Sequence, residues 1–81
     1  MAEEPTRAIR VIHDLERAIR HWELLRDSAQ REVNETMAYS EKERDSIEST
    51  RRVAKFQAYI ANCNAWILEA RARIDELARG D

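Results

Sequence analysis

The chain contains very few of the residues that interrupt helices or cross-link a fold. Its 81 residues include one glycine, one proline and one cysteine, and no glycine or proline occurs between Thr6 and Arg79. A single cysteine excludes an intramolecular disulfide. No apolar run approaches the roughly 18 residues that a membrane span requires, and the acidic segment from Met1 to Thr6 lacks the apolar core of a secretion signal. We therefore expect a cytoplasmic protein with no membrane contact.

Charge is abundant but nearly balanced. Charged residues make up 37% of the chain, with 14 basic and 16 acidic side chains and a formal net charge of -2. A weakly negative field argues against a phosphate backbone as the main partner, so nucleic acid is not expected. Arginine outnumbers lysine twelve to two, a bias associated with GC-rich genomes and hence with a bacterial or phage source.

The apolar residues that are present recur at alternating steps of three and four, which indicates amphipathic helices. One run extends from Ala8 to Thr36 and a second from Val53 to Leu77. The two heptad frames do not join, because continuing the first would put Gln57, Asn64 and Arg71 in the apolar seam. We therefore predict an all-α fold, an antiparallel two-helix coiled-coil hairpin in a single domain over 1–81. Helix 1 is expected at about 5–38, the turn at about 39–46 and helix 2 at about 47–79.

Folding the chain back allows the two seams to pair in registers that differ by seven residues. We choose the register that aligns both chain ends and centres the turn near Arg44 and Asp45. Large residues then often face small ones, as close packing requires. Ser40 with Glu43 and Asp45 with Glu48 have the spacing of a capping box, and Gly80 suits a helix end. The predicted layers are Ile12 with Leu77, Leu15 with Ile74, Ile19 with Ala70, Trp22 with Ile67, Arg26 with Cys63, Ala29 with Ile60, Val33 with Phe56, and Thr36 with Val53.

Two further apolar surfaces lie outside the seam. The first, here called the alanine stripe, follows the opposite side of helix 2 and consists of Ala54, Ala58, Ala61, Ala65, Leu68 and Ala72. The second, the aromatic edge, flanks the seam and is formed by Leu25, Tyr59 and Trp66 together with Val11, Ala18 and Tyr39. Alanine is also simply the best helix former, so the stripe alone does not require a contact. Because a core this small needs support, we expect one of these surfaces to mediate homodimerisation into a four-helix bundle.

No arrangement of residues predicts catalysis, a cofactor or a metal site. Cys63 lies in the seam without a nearby histidine. The residues three before His13 and His21 are Arg10 and Ala18, so neither histidine completes the Glu-x-x-His pair of a dinuclear metal site. Arg26 is the one charged seam residue. It could anchor an anion inside the bundle, or its guanidinium could reach solvent while its aliphatic stem packs in the seam.

The outer side of helix 1 gathers several arginines. A solvated charged surface is the simplest interpretation of this arginine face, and an acidic protein partner is the next. The face lacks the interleaved aromatic residues typical of single-strand binding. Its members are Arg7, Arg10, Arg17, Arg20 and Arg31.

These observations predict a non-enzymatic helical module that binds itself and another protein, acting as a small adaptor, assembly factor or inhibitor. The alternative is an anionic small-molecule-binding or catalytic bundle that uses Arg26. A third hypothesis is a nucleic-acid-associated protein that uses the arginine face. No family is assigned.

Overall fold

The computed structural model is an all-helical hairpin of two long helices joined by a short helical turn. It describes residues 3–39 and 41–80, with side chains from Arg7 onward. Helix α1 runs from Glu3–Met37, α2 is a single turn at Glu41–Arg44, and α3 runs from Ile47–Arg79. The molecule is a rod of 64 × 16 × 14 Å, as expected for two helices packed side by side. Helix α1 begins two residues before the expected position and ends one residue earlier, while α3 has the expected bounds.

The interface between α1 and α3 is the predicted seam. Every seam residue from Ala8 to Thr36 and from Val53 to Leu77 is buried or half-buried. At its centre Ile19, Ile67 and Ala70 form a buried cluster, with Leu15, Trp22 and Ile74 packed against it. These six residues belong to three consecutive predicted layers. The predicted register is therefore present at the centre of the seam, because a shift by one heptad would separate these pairs.

Small side chains fill much of the remaining interior. Ala29, Val33 and Cys63 are buried, and Thr36 is buried with its hydroxyl donating to the carbonyl of Glu32 at 2.8 Å. Among the described residues, no buried side-chain nitrogen or oxygen lacks a hydrogen-bond partner. The buried polar side chains of the described residues therefore all have hydrogen-bond partners, in an interior that is only two helices thick.

The ends of α3 carry clear capping interactions, and one differs from the prediction. Ser46, not Asp45, caps the N-terminus, since its extended backbone lets its hydroxyl accept from the Ser49 amide at 3.1 Å. The proposed start at Ser40 lies outside the described residues. At the C-terminus Gly80 adopts φ 78, the left-handed conformation that glycine accepts without strain, and its amide reaches the carbonyls of Glu76 and Leu77.

Polar contacts along one edge of the seam also differ from expectation. In the predicted register Glu16 can approach Arg71 and Glu23 can approach Asn64. Instead Arg71 approaches Glu23, at 3.9 Å, and Asn64 accepts from Arg26 at 3.3 Å. Long side chains on adjacent turns can reach the same partner, and helical spacing alone does not predict which pair forms.

Candidate functional site: exposed faces and a basic groove

The alanine stripe lies on the solvent side of α3. All six of its residues are exposed, and Leu68 is the largest, with 66% of its surface accessible. Its neighbour in sequence, Ile67, is 3% exposed because successive helical positions point about 100° apart. The hairpin therefore leaves a complete apolar face of α3 without a partner among the described residues.

The aromatic edge is partly used within the hairpin. Trp66 packs against Trp22 across the seam, with ring centroids 6.0 Å apart and planes tilted by 44°. This offset geometry is favourable for aromatic pairs. Leu25 and Tyr59 are half-buried, yet Trp66 still has 40% of its surface exposed. The edge is therefore an apolar strip in which Trp22 packs against the exposed Trp66.

Tyr59 connects this edge to the interior. Burial raises the pKa of its phenol, and the neighbouring Cys63 thiol adds to the effect. Cys63 itself is a free cysteine with no accessible surface. A thiol in that position packs as a small apolar group and cannot reach a substrate in the folded hairpin.

Arg26 lies at the border of the seam. Its guanidinium donates to Asp27 at 3.4 Å and to Asn64 at 3.3 Å, and about a third of the side chain (32%) is exposed. The aliphatic stem thus covers the seam while the charge is held at the surface. This placement positions the charge beside α3 and beside the acidic Asp27, rather than inside an enclosed cavity.

The arginine face is exposed along α1. Arg7, Arg10, Arg17, Arg20 and Arg31 all lie at the surface. A shallow groove of about 280 Å³ occurs there, lined by Arg17 and Arg20 together with His13 and Glu16. The face is mainly charged, and the exposed Leu24 lies between Arg17 and Arg31 at the same seven-residue spacing.

A larger concave surface occurs at the turn end of the hairpin, and the sequence did not predict it. This turn groove has a volume of about 730 Å³. The sequence shows that α3 begins with basic residues, but it does not show that the turn brings Tyr39 beside them. The groove depends on that placement. Its lining residues are Tyr39, Glu48, Ser49, Arg51, Arg52, Lys55 and Phe56.

One wall of the turn groove is held in place by contacts between elements. Arg52 forms an ion pair with Glu32 of α1, and this hydrogen bond raises the pKa of the Arg52 guanidinium. The same guanidinium lies 5.8 Å from the ring centroid of Phe56. Ser49 fixes the other side, since its hydroxyl donates to the carbonyl of Glu43 at 2.7 Å and so joins α2 to α3.

The described residues offer few other starting points for function. Within 3–39 and 41–80, no helix is long and apolar enough to cross a membrane. The same segments bring together no three His, Cys, Asp or Glu side chains that could hold a metal ion. Comparisons with family models, curated proteins and solved structures find no match for this chain.

Proposed function

We propose that the hairpin is a non-enzymatic protein-protein interaction module that dimerises through the alanine stripe and presents the aromatic edge to another protein. The observation that carries this proposal is the presence of two exposed apolar surfaces on different sides of α3. Exposed apolar area of this kind is typical of interaction sites, especially in a small chain. The one cysteine is fully buried, which fits a binding role better than a nucleophilic one.

The alanine stripe suits self-association because its pattern is symmetric about Cys63. A two-fold interface uses the same surface on both subunits, so each residue must find a suitable partner under reversal of the helix direction. Small side chains also allow two helices to approach at the short end of the usual 8–10 Å separation. Antiparallel pairing of two α3 helices would match Ala54 with Ala72, Ala58 with Leu68, and Ala61 with Ala65.

The aromatic edge suits a different partner. Trp66 and Tyr59 supply large side chains that lose little conformational freedom on binding, and residues of this type dominate interface energies. Trp22 already supports the Trp66 ring, so the strip needs little reorganisation before contact. A helix laid along α1 and α3 over this strip would form a three-helix bundle with the hairpin.

Light scattering after size exclusion tests the self-association. The wild-type chain should elute with twice its mass of 9.5 kDa, and Ala61→Glu with Ala65→Glu should reduce this to the monomer because two carboxylates per helix would be buried unpaired. The matched control is Gln57→Glu with Asn62→Glu, which adds the same charge at exposed positions of α3 outside the stripe. A dimer that survives the stripe substitutions would rule the stripe out as the self-interface.

A further inference from the structure

Two cations with no ion-pair partner in the described part of the chain border the turn groove. Arg51 and Lys55 are exposed and have no carboxylate within ion-pair distance among the described residues, whereas Arg52 is already paired with Glu32. Glu48 is the one acidic side chain among the lining residues. Arg51 and Lys55 are four residues apart on one helix face, so their Cβ atoms are about 6 Å apart. Two free cations at this spacing match two carboxylates on adjacent turns of another helix.

Apolar surface adjoins these cations. Phe56 is half-buried and forms part of the floor of the turn groove. A second concavity of about 370 Å³ shares Lys55 and Phe56 and continues along α3 to Tyr59. The turn groove is therefore continuous with the aromatic edge. Its volume is within the roughly 300–1,000 Å³ of ligand-binding pockets.

We propose that the turn groove binds an acidic amphipathic helix of a partner protein, with two carboxylates on Arg51 and Lys55 and an apolar side chain on Phe56. Arg52 and Glu32 hold the aromatic floor in place and leave the other two cations for the ligand. This proposal rests on the proposed function in one respect, namely that the ligand of the hairpin is another protein. It does not require dimerisation, because no residue that lines the turn groove belongs to the alanine stripe; Ala58 of the stripe lines only the adjoining concavity.

A peptide titration followed by amide chemical shifts tests the site directly. The probe is a capped peptide of about 20 residues, long enough to form helix, built from Glu-Ala-Ala-Leu-Glu-Ala-Gln repeats. At low salt we expect shift changes concentrated between Glu48 and Tyr59. The same peptide with each Glu replaced by Gln should bind at least tenfold more weakly, because the charge-assisted hydrogen bonds are lost.

Substitutions locate the effect. Arg51→Glu with Lys55→Glu should weaken binding at least tenfold, and both positions are exposed, so folding measured by circular dichroism should be retained. The matched control, Arg10→Glu with Arg17→Glu, reverses two charges on the arginine face and should bind as the wild type does.

Three outcomes would overturn the proposal. The first is equal binding of the Glu and Gln peptides or no binding at all, and the second is a loss caused by the arginine-face control. The third is tighter binding of single-stranded oligothymidine than of the peptide, which would assign the groove to nucleic acid. Self-association is measured separately, from the masses of the same samples. A negative result for peptide binding at the turn groove therefore does not bear on the dimer hypothesis.

Discussion

Ile67 and Leu68 are adjacent in sequence but face opposite environments, and this contrast gives a quantitative test of the hairpin. Ile67 is 3% exposed within the buried cluster, whereas Leu68 is 66% exposed on the alanine stripe. Replacing either with alanine changes helix propensity only slightly. The two substitutions should therefore differ because of packing.

The expected loss for Ile67→Ala follows from the atoms removed. Three buried carbons at about 0.8 kcal/mol each give about 2.4 kcal/mol of transfer free energy. A residual cavity beside Ile19 and Ala70 adds to this, but solvent can enter a structure two helices thick, so we expect about 3 kcal/mol, low in the range known for such truncations. That is a large share of the roughly 4–12 kcal/mol that stabilises a chain of this length.

Urea denaturation at two protein concentrations separates the two residues. With a slope of about 1.5 kcal/mol per molar, Ile67→Ala should lower the midpoint by about 2 M at both concentrations. Leu68→Ala should cost less than about 0.5 kcal/mol in the dilute limit, and any larger loss should appear only at the concentration where the wild type is dimeric. The reasoning would be refuted if Ile67→Ala cost under 1 kcal/mol, or if Leu68→Ala cost as much when dilute.

Two other changes test local features of the fold. Ser46→Ala should lower the free energy of unfolding by about 1 kcal/mol, because the cap on α3 is lost. Asp45→Ala should lower it clearly less. A larger effect of Asp45→Ala in urea titrations would contradict the assignment of Ser46 as the cap. The raised pKa of Tyr59 means that the folded state holds the phenolic proton more tightly than the unfolded chain, so its stabilising contribution is complete below about pH 10 and is lost as the pH rises through the folded pKa. Tyr59→Phe should therefore reduce the alkaline loss of stability above about pH 10. Parallel curves for the two proteins in urea titrations would show that burial of this phenol does not contribute.

The sequence by itself determined the two long helices and the exposed apolar face of α3. The seam period limited the pairing of α1 and α3 to registers seven residues apart, because a helix of fixed pitch leaves only a few ways to bury the same stripe, and alignment of the chain ends selected one of them. The same periodicity placed Leu68 and the alanines on the side of α3 away from Ile67. It did not predict that Leu24 and Ile47 are exposed. The break in the heptad frame located the turn to within a residue or two.

The tertiary structure decided the contacts that periodicity does not encode. Arg71 contacts Glu23 rather than Glu16, and Arg26 donates to Asn64. Long charged side chains can reach several partners, and these contacts differ little in free energy, so periodicity does not determine which one forms. The turn groove exists only because the path after Met37 returns Tyr39 to Phe56. Helix periodicity describes a face along one axis, whereas a concave site at the end of a rod depends on how the connecting turn is folded in three dimensions.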